Sequence, residues 1–319
     1  MRHPPYHLRV NKAVDRLALI EAIRHLEKLD DISAYTYYGF GGPYLEEFRL
    51  LYELYPRMRM VSIEQDEETY KRQRFHLPCG TLRLEKAECG SFLAQYEPED
   101  EKSIFWLDFT GLEYAHFDNF MTLLGKVATR SMVKITLRAE PQDYIGSDEA
   151  EELRLAQEFR RRFEAVLPDA SASPPVGFRR FACLLQDMVQ IAAQNALPGA
   201  LPLMFQPVSS FCYSDGTGMF TLTGIVCARS EEFMIRSAFH GWQFANLNWA
   251  KPKVIDMPVL STKERLHLEC LLPCSGSAGA ALREALGYLI DRDRRSTEAK
   301  LKQYADFHRY SPYFVRATP

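Results

Sequence analysis

The chain has 319 residues, 46% hydrophobic and 25% charged, with 17 glycines and 18 prolines. This is the balance of a globular protein long enough for one elaborated domain or two. Its 39 Lys/Arg and 42 Asp/Glu give a formal charge of −3, which excludes a global cationic field toward nucleic acid or an anionic membrane and leaves only a local basic patch open. No stretch approaches an apolar membrane span, and the N-terminus has charge and proline without an apolar core behind them; the expectation is a cytoplasmic protein with no membrane partner. Seven widely spread cysteines read as buried, reduced thiols, since Cys270 and Cys274 have no second pair at zinc-finger spacing.

In chain order, Val14, Leu17, Ala18, Ile20, Ile23 and Leu26 recur at helical spacing and predict an opening helix over 11–29. A β-favouring run at 34–38 meets Gly39-Phe40-Gly41-Gly42-Pro43, and a helical run follows over 45–55. Strands are expected at 58–63, 81–84, 103–107 and 132–137, with helices at 67–75 and 117–126 between them. Strands alternating with helices at this spacing imply βαβ units and a parallel sheet. A charged helix over 148–167, a loop over 168–175 and an apolar helix over 181–196 come next. Two β runs, 208–213 and 219–227, flank Asp215-Gly216 and predict a hairpin. The last ninety or so residues hold a Pro-bracketed strand over 254–260, a helix opened by a Ser261/Glu264 capping box and a final helix over 276–305.

The polar residues gather at the C-terminal ends of the first, second and fourth strands, the edge where open α/β sheets bind ligands. Glycines after a first strand permit positive φ and close backbone approach to a ligand. Glu64 ends the second strand 25 residues after Gly39, where an acid can accept from both ribose hydroxyls. Neither a P-loop nor the full dinucleotide signature is present, because Tyr44 stands where a third glycine is required. Pro43 is expected to start the next helix, and it withholds an amide that a pyrophosphate would want. The loop therefore suits a nucleoside cofactor without phosphates better than NAD.

Over about 35–227 the order of these features resembles class I S-adenosylmethionine-dependent methyltransferases. The resemblance assigns S-adenosylmethionine as cofactor, with Gly39, Gly41 and Gly42 as the glycine turn, Glu64 as the ribose acid and Glu88 as the adenine-side acid. Asp108-Phe109-Thr110-Gly111 matches the fourth-strand motif that ends near the transferred methyl, so Asp108 serves both cofactor and catalysis, and the hairpin matches the last antiparallel strands. Tyr37 stands where that family has an acid, and Pro43 replaces its third glycine. The implied fold is α/β: a Rossmann-like doubly wound sheet, mostly parallel, with an antiparallel hairpin at the end, a helical insertion and a C-terminal extension. The expected division is a methyltransferase domain over 1–230, with its insertion at about 146–200, and an α-rich extension over 231–319.

Of eight histidines, His116 lies just after the fourth-strand motif and is the one candidate proton acceptor. Asp108, Glu113 and Asp118 offer oxygens for a metal, though their spacing is not diagnostic. From 291 to 319 there are seven Lys/Arg against four Asp/Glu, interleaved with Tyr304, Phe307, Tyr310, Tyr313 and Phe314, which suits either packing on the body or a single-stranded nucleic acid partner. Three functions follow: a methyltransferase with an unspecified acceptor, an inactive methyltransferase-like sensor or partner subunit of a larger complex, and a nucleic-acid-modifying methyltransferase.

Overall fold

The computed structural model describes residues 9–98, 101–168, 173–274 and 276–311. The first helix, α1 (Val10–Leu26), is the predicted opening helix, but it is buried nearly all round rather than along one stripe: residues 11–16 and 18–20 are buried with Ala22, Ile23 and Leu26, and Leu17 is half-buried. Then β1 (Thr36–Gly39), α2 (Glu46–Leu54), β2 (Arg59–Glu64), α3 (Glu67–Phe75), β3 (Leu82–Lys86), α4 (Cys89–Gln95), β4 (Ser103–Asp108), α5 (Tyr114–Leu124) and β5 (Met132–Arg138) alternate. The helices α6 (Glu149–Phe163) and α7 (Phe178–Ala196) precede the hairpin of β6 (Leu203–Ser214) and β7 (Gly218–Ala228). Next come α8 (Glu232–Ala238), β8 (Lys253–Ile255), α9 (Thr262–Glu269), α10 (Ala278–Leu286) and α11 (Arg294–Phe307).

Eight strands form one sheet in the order β3-β2-β1-β4-β5-β7-β6-β8. The strands β3, β2, β1, β4 and β5 pair in parallel, and β7 lies antiparallel to β5 from Met132↔Ile225 to Arg138↔Met219. This is the expected α/β class: a doubly wound sheet, mostly parallel, closed by an antiparallel hairpin. A parallel sheet covered on both faces demands apolar strands, and β4 meets that demand with Ile104-Phe105-Trp106-Leu107, all buried. Lys134 in β5 is the charged exception, buried with its ammonium 4.9 Å from the centre of the Trp106 ring.

The chain divides into two compact units. The larger, residues 19–212 and 217–253, contains the parallel strands and α2 to α8. The smaller, residues 1–18, 213–216 and 254–319, contains α9 to α11. Within it the Asn11 amide donates to Ser214 O and Asp215 Oδ1, each at 3.0 Å, and accepts from Met257 N at 2.9 Å. Ser261 and Glu264 form the predicted capping box, at 2.6 and 3.2 Å.

The expected single helix over 276–305 is two. Gly287 takes φ +76°, a left-handed C-cap that ends α10, and Asp293 accepts from Ser296 N at 2.8 Å to start α11. The Pro-bracketed strand contracts to β8, because Pro252 and Pro258 have no N–H to donate to a ladder. Between the third and fourth strands, where no helix is expected, Glu88 caps α4. All seven cysteines are free, but only Cys212 and Cys227 are buried, and Cys270 is exposed. Tyr304 and Phe307 of the C-terminal stretch are buried, while Tyr313, Phe314 and the terminal His3 and His7 lie outside the described residues. Among the described residues no helix is long and apolar enough to cross a membrane.

Candidate active site

The strand order reverses between β1 and β4, with β2 and β3 on one side and β5 on the other. Ligands of open α/β sheets bind outside the carboxyl ends of the strands at such a switch point. Gly39 is in register with Trp106, so the glycine loop leaves β1 beside the place where Asp108 and Phe109 leave β4. The Phe40 and Phe109 rings meet edge-on at 5.5 Å, and Phe109 lies flat on His116 at 4.1 Å and 12°. Two loops that sequence spacing treats separately thus share an aromatic wall.

Gly41 and Gly42 take φ +68° and +52°. A Cβ at Gly41 would stand 2.6 Å from Leu45 Cδ2 and 2.8 Å from both Phe48 Cε2 and Ser62 Oγ, so only glycine fits. Buried Gln73 of α3 holds the turn: its Nε2 donates to Phe40 O at 2.8 Å and to Gly42 O at 2.9 Å, and its Oε1 accepts from Ser62 Oγ at 3.1 Å. Nothing in Lys71-Arg72-Gln73-Arg74 marks Gln73 as the buried member; only its three-residue spacing from Tyr70 hints at a shared inward face.

Pro43 does not start α2. It opens a 3-10 turn over Gly42–Tyr44, Leu45 follows in the left-handed region at φ +53°, and that residue interrupts the helical run until Glu46. The first turn of α2 then carries Glu46 and Glu47, whose charges already oppose an anion at this helix start. Tyr37, at the position of the family's acid, is fully buried and packs edge-on against Phe48 at 5.1 Å.

The two expected cofactor acids differ. Glu64 is half-buried at the end of β2, and its Oε1 accepts from Asp66 N at 2.7 Å. Burial raises its pKa above the ordinary carboxylate value despite that bond. A carboxylate has about four acceptor positions, so room for hydroxyl donors persists. Glu88 is exposed and is the N-cap of α4, accepting from Ser91 N at 2.8 Å. The Gly90 and Ser91 amides hold its pKa down.

Asp108 is half-buried at the end of β4, in register with Thr136. His116 lies in the first turn of α5, where its Nδ1 accepts from Glu113 N at 3.2 Å, and burial lowers its pKa. With Nδ1 so engaged, neutral imidazole carries its hydrogen on Nε2. Among the described residues no three His, Cys, Asp or Glu side chains gather as a metal set, Asp108, Glu113 and Asp118 included.

On the other side of β4 a cavity of about 260 Å³ opens at the ends of β4 and β5, lined by Gly111, Glu113, Arg138, Tyr144 and the α6 residues Glu158, Phe159 and Arg162. The amide of Arg138 donates to Gly111 O at 3.1 Å, joining its two walls. Of its charged side chains only Glu113 stood out in the sequence, as a candidate metal oxygen, because the lining comes from three separate segments.

A doubly wound sheet with an antiparallel last pair and a glycine turn at its switch point defines a Rossmann-like α/β protein. Residues 4–319 match the family described as "Putative O-methyltransferase", and the chain belongs to that family. No curated protein matches it in sequence. Among solved structures it is similar to Trm1 from Pyrococcus horikoshii, solved in complex with S-adenosyl-L-methionine, with TM-score 0.46 and 11% identity over 71% of this chain. The match spans 58% of the length of Trm1. It is also similar to a probable spermidine synthase from Corynebacterium glutamicum, with TM-score 0.44 and 12% identity over 80% of this chain and 82% of the other.

Proposed function

We propose that the chain is an S-adenosylmethionine-dependent methyltransferase that methylates an acceptor oxygen. The observation that carries this, beside family membership, is the glycine turn held open at the switch point by Gln73, with Glu64 at the end of the neighbouring strand. When bound, S-adenosylmethionine would supply a sulfonium methyl to the acceptor oxygen, with S-adenosylhomocysteine as the leaving product and the acceptor's proton passing to water. Such a transfer needs chiefly an in-line approach, so positioning supplies most of the acceleration.

The chain's own residues fit that task. Gly39, Gly41 and Gly42 let the backbone approach a nucleoside closely, and Glu64 accepts from the ribose hydroxyls. Glu88 contributes through the α4 N-terminus that it caps. Asp108 and the Phe109–His116 stack bound the crevice toward the acceptor, where His116 orients an oxygen as a donor. Tyr37 and Pro43, the two departures from the family's motif, lie respectively in the core and in a turn the loop already needs, which weighs against the inactive-sensor reading. The buried rings of Tyr304 and Phe307 weaken the nucleic-acid reading, since they are turned away from stacking. Seven free cysteines suit a cytoplasmic setting.

The test is transfer of label from methyl-tritiated S-adenosylmethionine into the small-molecule fraction of a cell extract. Wild type is expected to label it and Gly41→Ala to leave it unlabelled. Cofactor binding with no transfer to metabolites, proteins or nucleic acids would turn the conclusion to the sensor.

A further inference from the structure

Resting on the methyltransferase reading, we propose that the cavity at the ends of β4 and β5 receives the acceptor, and that the acceptor is a small, flat hydroxy-carboxylate whose carboxylate is held by Arg138 and Arg162. A volume of about 260 Å³ is at the low end for small-molecule sites and suits one substituted ring. Its apolar wall is aromatic: Tyr144 meets Phe159 edge-on at 4.8 Å and stacks with Phe181 at 5.7 Å. A planar body is what such a wall accepts best.

The polar wall selects the charge. Arg138 Nη2 lies 3.2 Å from the Asp143 carboxylate, and Arg162 Nη2 donates to Glu158 at 2.8 Å. Counting Glu113 at the rim, three carboxylates face two guanidinium groups, so charge alone would favour a cation. Hydrogen bonding favours an anion. The Asp143 and Glu158 carboxylates are already engaged, whereas each guanidinium has five donors in a planar fork and uses one nitrogen in these pairs. Arg138 Nε is buried with no hydrogen-bond partner among the described residues, the one such polar atom in this wall. A buried donor left unmade is costly, and a ligand carboxylate in the plane of the fork satisfies it.

The test uses the full chain, with binding of para-hydroxybenzoate, para-hydroxybenzamide and tyramine followed by ligand-observed NMR, and binding of S-adenosylhomocysteine measured in parallel. Para-hydroxybenzoate is expected to bind, and the amide and the Arg138→Met variant each to lose about tenfold or more, the size of one charge-assisted hydrogen bond. Arg138→Met should bind S-adenosylhomocysteine as wild type does. The amide comparison needs only wild-type protein and stands if the variant misfolds. Tyramine binding as tightly as the carboxylate, no saturable carboxylate binding at millimolar concentration, or indifference to both Arg138→Met and Arg162→Met overturns the proposal. Carboxylate binding without S-adenosylhomocysteine binding supports the cavity and removes the methyltransferase reading; the reverse removes the cavity alone.

Discussion

The glycine loop and the cavity beside α6 lie on opposite sides of β4 and are made of different interactions. On the loop side the side-chain contacts are uncharged and partly buried: Gln73 donates to the backbone carbonyls of the turn, and buried Ser62 donates to Gln73. On the cavity side they are ion pairs between half-exposed side chains, 41% and 43% for Arg138 and Asp143, 44% and 39% for Arg162 and Glu158. An orphaned buried carbonyl costs about 1–3 kcal/mol, while an exposed ion pair contributes about 0–1 kcal/mol. The first region therefore keeps one geometry whether or not a ligand is present. The second can exchange partners with a ligand at little cost, as the proposed acceptor site requires.

Substitutions can break this contrast. The largest effect is expected from Gly41→Ala, which forces a Cβ into Leu45, Phe48 and Ser62 at φ +68°. Left-handed strain and overpacking together should remove about 3 kcal/mol of unfolding free energy, measured by denaturant titration. Gln73→Leu keeps a similar volume but takes the Gln73 donor from the Gly42 carbonyl, while the Phe40 carbonyl keeps the Gly42 amide, and a loss of about 2 kcal/mol is expected by the same titration. On the cavity side Arg162→Met should change stability by no more than about 0.5 kcal/mol. A loss there as large as that of Gln73→Leu would erase the distinction between the two regions.

Glu64 sharpens the contrast through pH. Burial raises its pKa in the folded chain, so the native state holds that proton more tightly than the unfolded state does. Its contribution to stability is thus full below the unfolded carboxylate value and is lost as pH rises through the raised one. Glu64→Gln is accordingly expected to leave stability at neutral pH unchanged or slightly higher, by thermal unfolding. Binding has the opposite sign, because ribose hydroxyls donate to the ionised form: cofactor affinity should fall as acidification protonates Glu64. Glu88 behaves conversely, since its lowered pKa stabilises the fold above the ordinary value and that contribution is lost as pH falls.

Much of the loop side was legible in the sequence, because a glycine turn after one strand and an acid at the end of the next are local signals. Glu67–Phe75 was placed to the residue, its start marked by Asp66, which accepts from Thr69 N at 2.7 Å. What escaped was non-local. Gln73 looks like any surface glutamine until α3 packs under the loop, and Phe40 meets Phe109 only because β1 neighbours β4. Gly287 was read through as helix because a lone glycine in a helical pattern signals a stop only when its φ is known. The cavity was illegible, since Arg162 is one charge among many on the amphipathic run of α6 and Arg138 merely ends the apolar strand β5.

The most direct measurement is calorimetric titration of S-adenosylhomocysteine into wild type and Glu64→Gln at neutral pH. Saturable one-to-one binding is predicted, weakened by about 1–3 kcal/mol in the variant whose unfolding is unchanged. No binding heat from folded wild type at millimolar ligand, or equal affinity in both proteins, would contradict the account.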